Sequence, residues 1–406
     1  MSRKQKHLVA VDAGSAKTCV LVAEQQENNR LKFLGFGHAD SRGWRKGAII
    51  NLEAAVASLR KAVEEAEQAA GVPIEKAVVG LGAGLVKGVN SRGGINISSR
   101  QREIQREDVR RAIEEARRIH LPPDRVVLHV VPQEFLLDSM NGIRDPVGMT
   151  GGRLEANVHV ITSAAAAMTS LITVANRAGL EVEETVHEAL AAAEAVLGSD
   201  ERELGVVLAD IGAGSTDVVV YHQGCLQHSC ALPVGGDHFT NDIAVGLRTP
   251  IPEAEKIKRM FGVAMVSQAG EAVSIEVPSV GDRASRMVPQ QKLAQILEPR
   301  AQELLGLIRE ELARAGLEHQ TGAGLVFTGG GARLAGLCDL AEQLLDMPAR
   351  IGLPPRLEGA PGTLSEPAYT TLLGLLFYAQ RLRLARQGRQ EGFGARLKSL
   401  FAGGTN

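Results

Sequence analysis

Val9-Ala10-Val11-Asp12-Ala13-Gly14-Ser15-Ala16-Lys17-Thr18, near the start of the chain, returns 198 residues later as Val207-Leu208-Ala209-Asp210-Ile211-Gly212-Ala213-Gly214-Ser215-Thr216. In each copy an apolar run reaches Asp-x-Gly, small residues follow, and a second β-rich run begins, Cys19 to Ala23 and Val218 to Tyr221. Apolar β-branched runs joined by a short turn of small residues are the pattern of a β-hairpin. A hairpin repeated at about half the chain length predicts two similar lobes.

The turns have their own chemistry. Small residues let backbone N–H groups approach an anion closely, and the hydroxyls of Ser15, Thr18, Ser215 and Thr216 add donors. An Asp at a strand end cannot bind phosphate directly, but it is suited to holding a hydrated divalent cation. Taken singly, either copy reads as a plain hairpin turn. Two copies in one register point instead to a pair of clamps that grip a nucleoside triphosphate and its magnesium from opposite sides, with Asp12 and Asp210 beside the metal. A third cluster, Thr328-Gly329-Gly330-Gly331-Ala332-Arg333, follows the strand-like Gly324-Leu325-Val326-Phe327 and precedes a helical pattern at Leu334, Leu337, Leu340 and Leu344. Strand, glycine turn and helix bring a flat ligand against backbone. The spacing is not that of a Rossmann fingerprint, and no Gly-Lys-Ser/Thr of a Walker loop occurs.

The rest of the chain narrows the class. Its 406 residues suffice for two to four domains. With 45 basic against 47 acidic residues the net charge is −2, which disfavours a protein that grips nucleic acid over its whole surface. Aromatic residues make up 3%, too few for base-stacking platforms, while 44% apolar and 23% charged residues describe a globular chain. Cys19, Cys225, Cys230 and Cys338 show no Cys-x-x-Cys pair and no spacing that suits a zinc site, and they read as buried thiols in a reducing compartment. Met1 to His7 is basic but is followed by no signal-peptide core. The longest uncharged run, Asn157 to Asn176, carries His159 and reads as a buried helix rather than a membrane span.

In their order, the two hairpins and the third glycine cluster resemble the actin, sugar-kinase and heat-shock-chaperone ATPase superfamily, where they are the phosphate-one, phosphate-two and adenosine motifs. Val234-Gly235-Gly236-Asp237 resembles that superfamily's Gly-Gly-Asp loop, and Ala254-Glu255-Lys256-Ile257-Lys258 its Glu-x-x-Lys helix. The likeness implies Gly235 and Gly236 along the phosphates, and Glu255 and Lys258 flanking ribose and base. An i, i+3 surface ion pair explains the last two nearly as well. Longer stretches are similar to the FtsA family of bacterial cell-division proteins: Ser41-Arg42-Gly43 with Lys46-Gly47, Val127 to Phe135, Pro146-Val147-Gly148, Val158 to Thr162, Asp200 to Gly205, Glu276 to Gly281, and Glu298-Pro299-Arg300. The resemblance runs from about residue 8 to residue 380.

This resemblance implies an α/β chain with an actin-like (ribonuclease H-like) two-lobed ATPase fold and an FtsA-type inserted small α/β subdomain. Residues 1–83, 161–203 and 363–387 would form lobe 1, with 84–160 as the insert. Residues 204–238 and 301–362 would form lobe 2, 239–300 its outer subdomain, and 388–406 a linker and amphipathic helix. Within the insert, Arg106 to Ile119 reads as a helix with Val109, Ala112, Ile113, Ala116 and Ile119 on one face. Near residue 300, Arg286 and Arg300 are implied to receive the acidic C-terminal peptide of the tubulin-like FtsZ, although arginines on a surface also serve solubility alone.

At the end of the chain, Phe393, Leu397, Leu400 and Phe401 fall on one helical stripe, with Arg396 and Lys398 beside it. From Arg381 onward there are six basic residues and one acid, so this tail is +5. Burying four large apolar side chains is worth roughly 1.5 to 3 kcal/mol each, and each basic residue near anionic lipid adds about 1 kcal/mol. Reversible binding to an anionic membrane is expected, strengthened when many tails act together.

The expectation is an actin-like protein that binds ATP and Mg2+, polymerises on the cytoplasmic face of the cell membrane, tethers the FtsZ ring at the septum and recruits other divisome proteins. Phosphates would meet Gly14, Ser15, Ala16 and Lys17 on one side and Gly212, Ala213, Gly214, Ser215 and Thr216 on the other, and adenosine would meet Gly329, Gly330, Gly331 and Ala332. Catalysis is at most that of a weak Mg-ATPase, with Asp12 and Asp210 at the metal and Glu188 positioning water, by analogy with heat-shock chaperones. The alternatives on the same fold are a pilus-assembly platform like PilM and a sugar kinase or phosphatase.

Overall fold

The computed structural model describes residues 7–45, 47–82, 86–97, 102–281 and 283–401, with side chains as far as Arg386. Lys46, the expected boundary at residues 83 and 84, and residues 402–406 lie outside the described residues.

Two five-stranded sheets dominate the chain. In the first, the strand order is Glu181–His187, Lys76–Leu81, His7–Ala13, Lys17–Gln25, Leu31–Asp40. In the second it is Ala349–Ile351, Leu325–Thr328, Val206–Ile211, Thr216–His222, Cys225–Leu232. Each sheet pairs an antiparallel three-strand meander with two parallel strands on the same side. The sequence echo is therefore an echo of topology. Its hairpins run in register from His7↔Glu24 to Ala13↔Thr18 and from Val206↔Tyr221 to Ile211↔Thr216. The middle of each central strand is apolar because helices cover both of its faces: Ala10 and Val11 in one lobe, and Val207, Leu208 and Ala209 in the other, are fully buried.

Between the lobes' elements lies a four-stranded antiparallel sheet, in the order Val86–Asn96, Arg153–Ala164, Arg125–Leu137, Met140–Ile143. The Arg106–Arg117 helix covers it and buries Ala112 and Ala116. That helix begins where Asp108 accepts from the Gln105 backbone N–H at 2.9 Å and pairs with both terminal nitrogens of Arg102 at 2.8 Å. The uncharged run at 157–176 is only half helical: Asn157 to Ala164 completes a strand, and a helix spans Ala165–Arg177. Val158, Val160, Ile161 and Thr162 are β-branched and pair with a strand on each side, which outweighs the alanine content of the window. His159 is accordingly a strand residue. Its two ring nitrogens meet Asn90 Oδ1 at 2.6 Å and Ser229 Oγ at 2.8 Å, linking the inserted sheet to the outer strand of the second lobe.

The chain ends by returning to its first lobe. The helix Thr370–Phe401 buries Leu372, Leu373, Leu375, Leu376 and Ala379 against Leu8, Ala10, Cys19, Leu21 and Val186. Its backbone continues through Gly388 to Gly392, the segment expected to be a linker; a glycine costs about 1 kcal/mol in a helix, and the Arg, Gln and Glu neighbours favour continuation. Likewise the helix Gln290–Ala315 crosses residue 300, where the outer subdomain of the second lobe was expected to stop, and holds Pro299 in its interior. Among the described residues, no helix is long and apolar enough to cross a membrane.

Candidate functional site

The two Asp-bearing turns face one cleft. Gly14 donates to Lys17 O at 3.0 Å, and Gly212 donates to Ser215 O at 2.9 Å, so both turns close in the same way. Among the described residues, the N–H groups of Ser15 and Ala16 in one turn, and of Ala213 and Gly214 in the other, have no intramolecular acceptor. They are the donors an anion would use. The hydroxyls behave differently from the expectation. Thr216 is fully buried and donates to Val234 O at 2.7 Å, Thr18 meets Ser41 Oγ at 2.7 Å, and Ser15 Oγ accepts from Gly47 N–H at 2.8 Å. These three side chains brace the turns rather than line the cleft.

Carboxylates gather at the floor. Asp12 ends the first strand of one lobe, Asp210 that of the other, and Glu188 opens the helix Glu188–Val196. Asp217, one residue past the quoted motif, joins them: a Cβ added to Gly82 would lie 2.7 Å from Asp217 Oδ2 and overlap Glu188 Oε2. Burial pushes the Asp12 carboxyl above its ordinary range, with Lys17 pulling the other way. Burial also pushes Asp210 up to about 6, and it pushes Glu188 well up with the help of Asp12, Asp217 and Asp210. Lys17 is the cation that pulls Asp12 and Asp210 the other way. Among the described residues no three of these carboxylates offer oxygens within 4.8 Å of one another. Mg2+ binds through one or two carboxylates and keeps several of its waters, so it does not require three acids that close.

Further groups complete the walls. Lys17 donates from Nζ to Ala368 O at 2.5 Å and lies 3.4 Å from the centre of the Tyr369 ring. Thr371 Oγ1 donates to Asp210 Oδ2 at 2.5 Å, and the neighbouring Thr370 and Thr328 hydroxyls meet at 2.7 Å. Gly235 and Gly236 are buried at the start of the Gly236–Leu247 helix and pass under the second turn: Gly236 donates to Gly212 O at 2.9 Å, and a Cβ on Gly235 would sit 2.6 Å from both Ala213 O and Ser215 N. Glu255 and Lys258 are paired at 2.6 Å, but not as a solvated surface pair. Lys258 Nζ donates to Gly236 O at 2.9 Å and to Thr240 Oγ1 at 2.8 Å, so the pair fastens the Gly-Gly loop. Gly329 has φ +80°, a left-handed conformation that puts a missing side chain against Asp210. Gly330 borders open space, while Gly331 and Ala332 pack on Ile211 and the core.

These residues fit a nucleotide with its cation: turn amides without an intramolecular acceptor for phosphate, Asp12 and Asp210 at the two strand ends for the metal, and open space at Gly330 for a flat ring. Residues 207–374 match the family model described as Cell division protein FtsA, and residues 83–162 match that of the SHS2 domain inserted in FTSA. Cell division protein FtsA of Pseudomonas aeruginosa is 41% identical over 373 residues, 92% of this chain and 89% of that one. The chain belongs to the FtsA family. Its fold is that of the actin-like ATPases. A chain of the PilM-PilN type IV pilus biogenesis complex matches with a TM-score of 0.65 at 16% identity, covering 92% of this chain and 98% of that chain. MreB 5 of Spiroplasma citri, solved bound to AMPPNP, matches with a TM-score of 0.56 at 15% identity, covering 96% and 99%.

In this FtsA-family chain the expected partner arginines are not equivalent. Arg300 is held by Asp242, at 2.7 Å and 3.1 Å, and by Glu303, so its guanidinium is already satisfied. Arg286 is exposed and donates to the backbone carbonyl of Leu247. The side chains of Phe393, Arg396, Leu397, Lys398, Leu400 and Phe401 lie outside those described. Sequence reading missed Gly82, Asp217 and Thr371, and took Thr328 only as the start of the glycine cluster. Only Gly82, a glycine closing an apolar strand, and Asp217, an acid inside the second hairpin, carried any local signal.

Proposed function

We propose that the chain binds ATP with Mg2+ between its lobes and works as a membrane-associated division protein. In this reading it assembles with itself at the cytoplasmic face of the cell membrane, holds the FtsZ ring there and recruits other divisome proteins. The observation that supports nucleotide binding is the convergence of two equivalent turns, each with free amides and an Asp, on one acid-rich cleft. Ser15 to Lys17 and Ala213 to Ser215 would take the phosphates, and Gly329 to Ala332 the adenosine. Lys258 and Glu255 act by holding the Gly235-Gly236 loop beneath the second turn.

Asp12 and Asp210 would hold the hydrated magnesium. The cation supplies the positive charge that these acids and the phosphates lack. Asp210 is kept in place by Thr371, and Glu188, with its carboxyl pushed well up, is placed to hold a proton or to orient a water. A weak ATPase is consistent with this set. The division role rests on family membership, and the membrane role on the basic apolar tail. An acidic FtsZ peptide would meet the Arg286 side, since Arg300 already has its carboxylates.

Calorimetry with Mg-ATP, beside co-sedimentation with anionic liposomes using the full chain and one lacking residues 388–406, tests both halves. One equivalent of Mg-ATP taken up and lipid binding lost with the tail are the expected results. An absence of uptake overturns the cleft assignment, and lipid binding that survives truncation overturns the anchor.

A further inference from the structure

On the outer strand of the second lobe's sheet, three donor side chains of different chemistry meet. His228 and Cys230 are alternate residues of the outer strand Cys225–Leu232, so their side chains leave the same face of the sheet. Glu311 reaches that face from the helix Gln290–Ala315. One donor atom from each, imidazole nitrogen, sulfur and carboxylate oxygen, lies within 4.8 Å of the other two. Among the described residues this is the one group of three that does so.

We propose that His228, Cys230 and Glu311 form a binding site for a borderline-soft divalent transition metal of the zinc class. The donor set is the first reason. Nitrogen, thiolate and a single carboxylate select Zn2+ and its neighbours over Mg2+ or Ca2+, which prefer all-oxygen shells. The second reason is spacing. His228 Nε2 lies 3.3 Å from Glu311 Oε2, the separation two ligands take on one ion with bonds of about 2.0 to 2.3 Å at the tetrahedral angle, and the sulfur lies within 4.8 Å of both.

Orientation is the third reason. Arg314 holds the other oxygen, Oε1, so Glu311 presents Oε2 inward as a single ligand steered by an outer partner. Finally, the His228 and Glu311 side chains are 19% and 14% exposed, so the group is in reach of solvent. The third ligand comes 81 residues after Cys230 and from a helix, so no short cysteine spacing marks the site in the sequence. Binding forms a sulfur–metal bond and releases the Cys230 thiol proton to solvent, so apparent affinity rises by about tenfold per pH unit while the thiol remains protonated.

The test uses the full-length chain, reduced, stripped of metal and free of nucleotide, titrated with Co2+ and then with Zn2+. One equivalent of Co2+ is expected to give an intense thiolate-to-cobalt band with tetrahedral visible absorption, bleached by Zn2+. Cys230→Ser removes the band, Glu311→Gln weakens Zn2+ binding by about tenfold or more, and Cys225→Ser and Cys338→Ser leave both unchanged. If Cys230→Ser does not fold, His228→Gln and Glu311→Gln answer the same question. A thiolate band that never forms, one that survives in folded Cys230→Ser, or only the weak octahedral spectrum of Co2+ on cleft carboxylates would each overturn the assignment.

Discussion

Thr371 Oγ1 donates to Asp210 Oδ2 at 2.5 Å across 161 residues of sequence, tying the first turn of the C-terminal helix to the tip of the second lobe's central hairpin. Both side chains are buried. Thr371→Val keeps the shape and removes the donor. It should destabilise the protein by about 1 to 3 kcal/mol, the cost of stranding a buried charged acceptor, and move the Asp210 carboxyl further up from about 6. Urea unfolding at pH 8 and pH 4.5 checks this. The loss should be larger at pH 8, where Asp210 is ionised; an equal loss at both contradicts it.

Acid sensitivity has two opposing sources. Burial drives His129 and His159 down to about 3 and His187 down to about 4, and His129 Nε2 accepts from the His187 backbone N–H at 3.0 Å, which requires a neutral ring. These groups bind fewer protons when folded, so their contribution is complete above pH 6.5 and is lost as pH falls towards 4. Asp210, raised to about 6, binds more protons when folded and works the other way, lowering stability as pH rises from about 4 to 6. Asp12 and Glu188 are pushed up as well and act with Asp210 against the three histidines, so the readout is the slope of stability against pH in nucleotide-free protein between pH 4.5 and 7. Asp210→Asn should make that slope more positive by up to about 1.4 kcal/mol per pH unit. Thermal unfolding across this range decides it; an unchanged slope rules out the raised Asp210.

Two glycines at the same cleft should respond very differently to one methyl group. A Cβ on Gly82 would overlap Glu188 Oε2 and stand 2.7 Å from Asp217 Oδ2, whereas one on Gly330 meets nothing within 4 Å. Gly82→Ala should lower Tm by several degrees and weaken Mg-ATP uptake, because the acids must move apart. Gly330→Ala should change stability by less than about 1 kcal/mol. Matched scanning calorimetry of the pair, with and without Mg-ATP, separates packing from binding; equal behaviour would show that the acids do not line a rigid floor.

The parts of this site that were legible in the sequence are those in which chemistry and turn geometry share a few residues. Asp12 to Thr18 and Asp210 to Thr216 announce strand, turn and strand together, and Gly329 to Gly331 does so for the slot. What was illegible depends on distant elements meeting. Nothing near Thr371 signals that it faces Asp210, and Lys258 becomes a brace only because Gly236 lies beneath it. The stretch Asn157 to Ala164 misled because it was read as one window with the alanine run Ala164 to Ala167, while two flanking strands supplied the pairing that decides its structure. Arg300 looked available because its partner Asp242 lies 58 residues away.

Lys17 is the cation closest to the cleft acids by sequence, yet its ammonium is engaged elsewhere, on Ala368 O and over the face of Tyr369. Burial lowers its pKa, with Asp12 and Asp210 partly offsetting this, so the group is costly to leave without partners. A cation over an aromatic face is worth about 0.5 to 2 kcal/mol. If Lys17 must leave Tyr369 to reach a phosphate, that contact opposes nucleotide binding, and Tyr369→Leu should tighten Mg-ATP by up to about thirtyfold. Lys17→Met should weaken it in the same assay. Calorimetric titration of both variants reads the sign directly. Weakening by both would place Lys17 at its phosphate without leaving the ring, making Tyr369 a support of the bound state rather than a competitor.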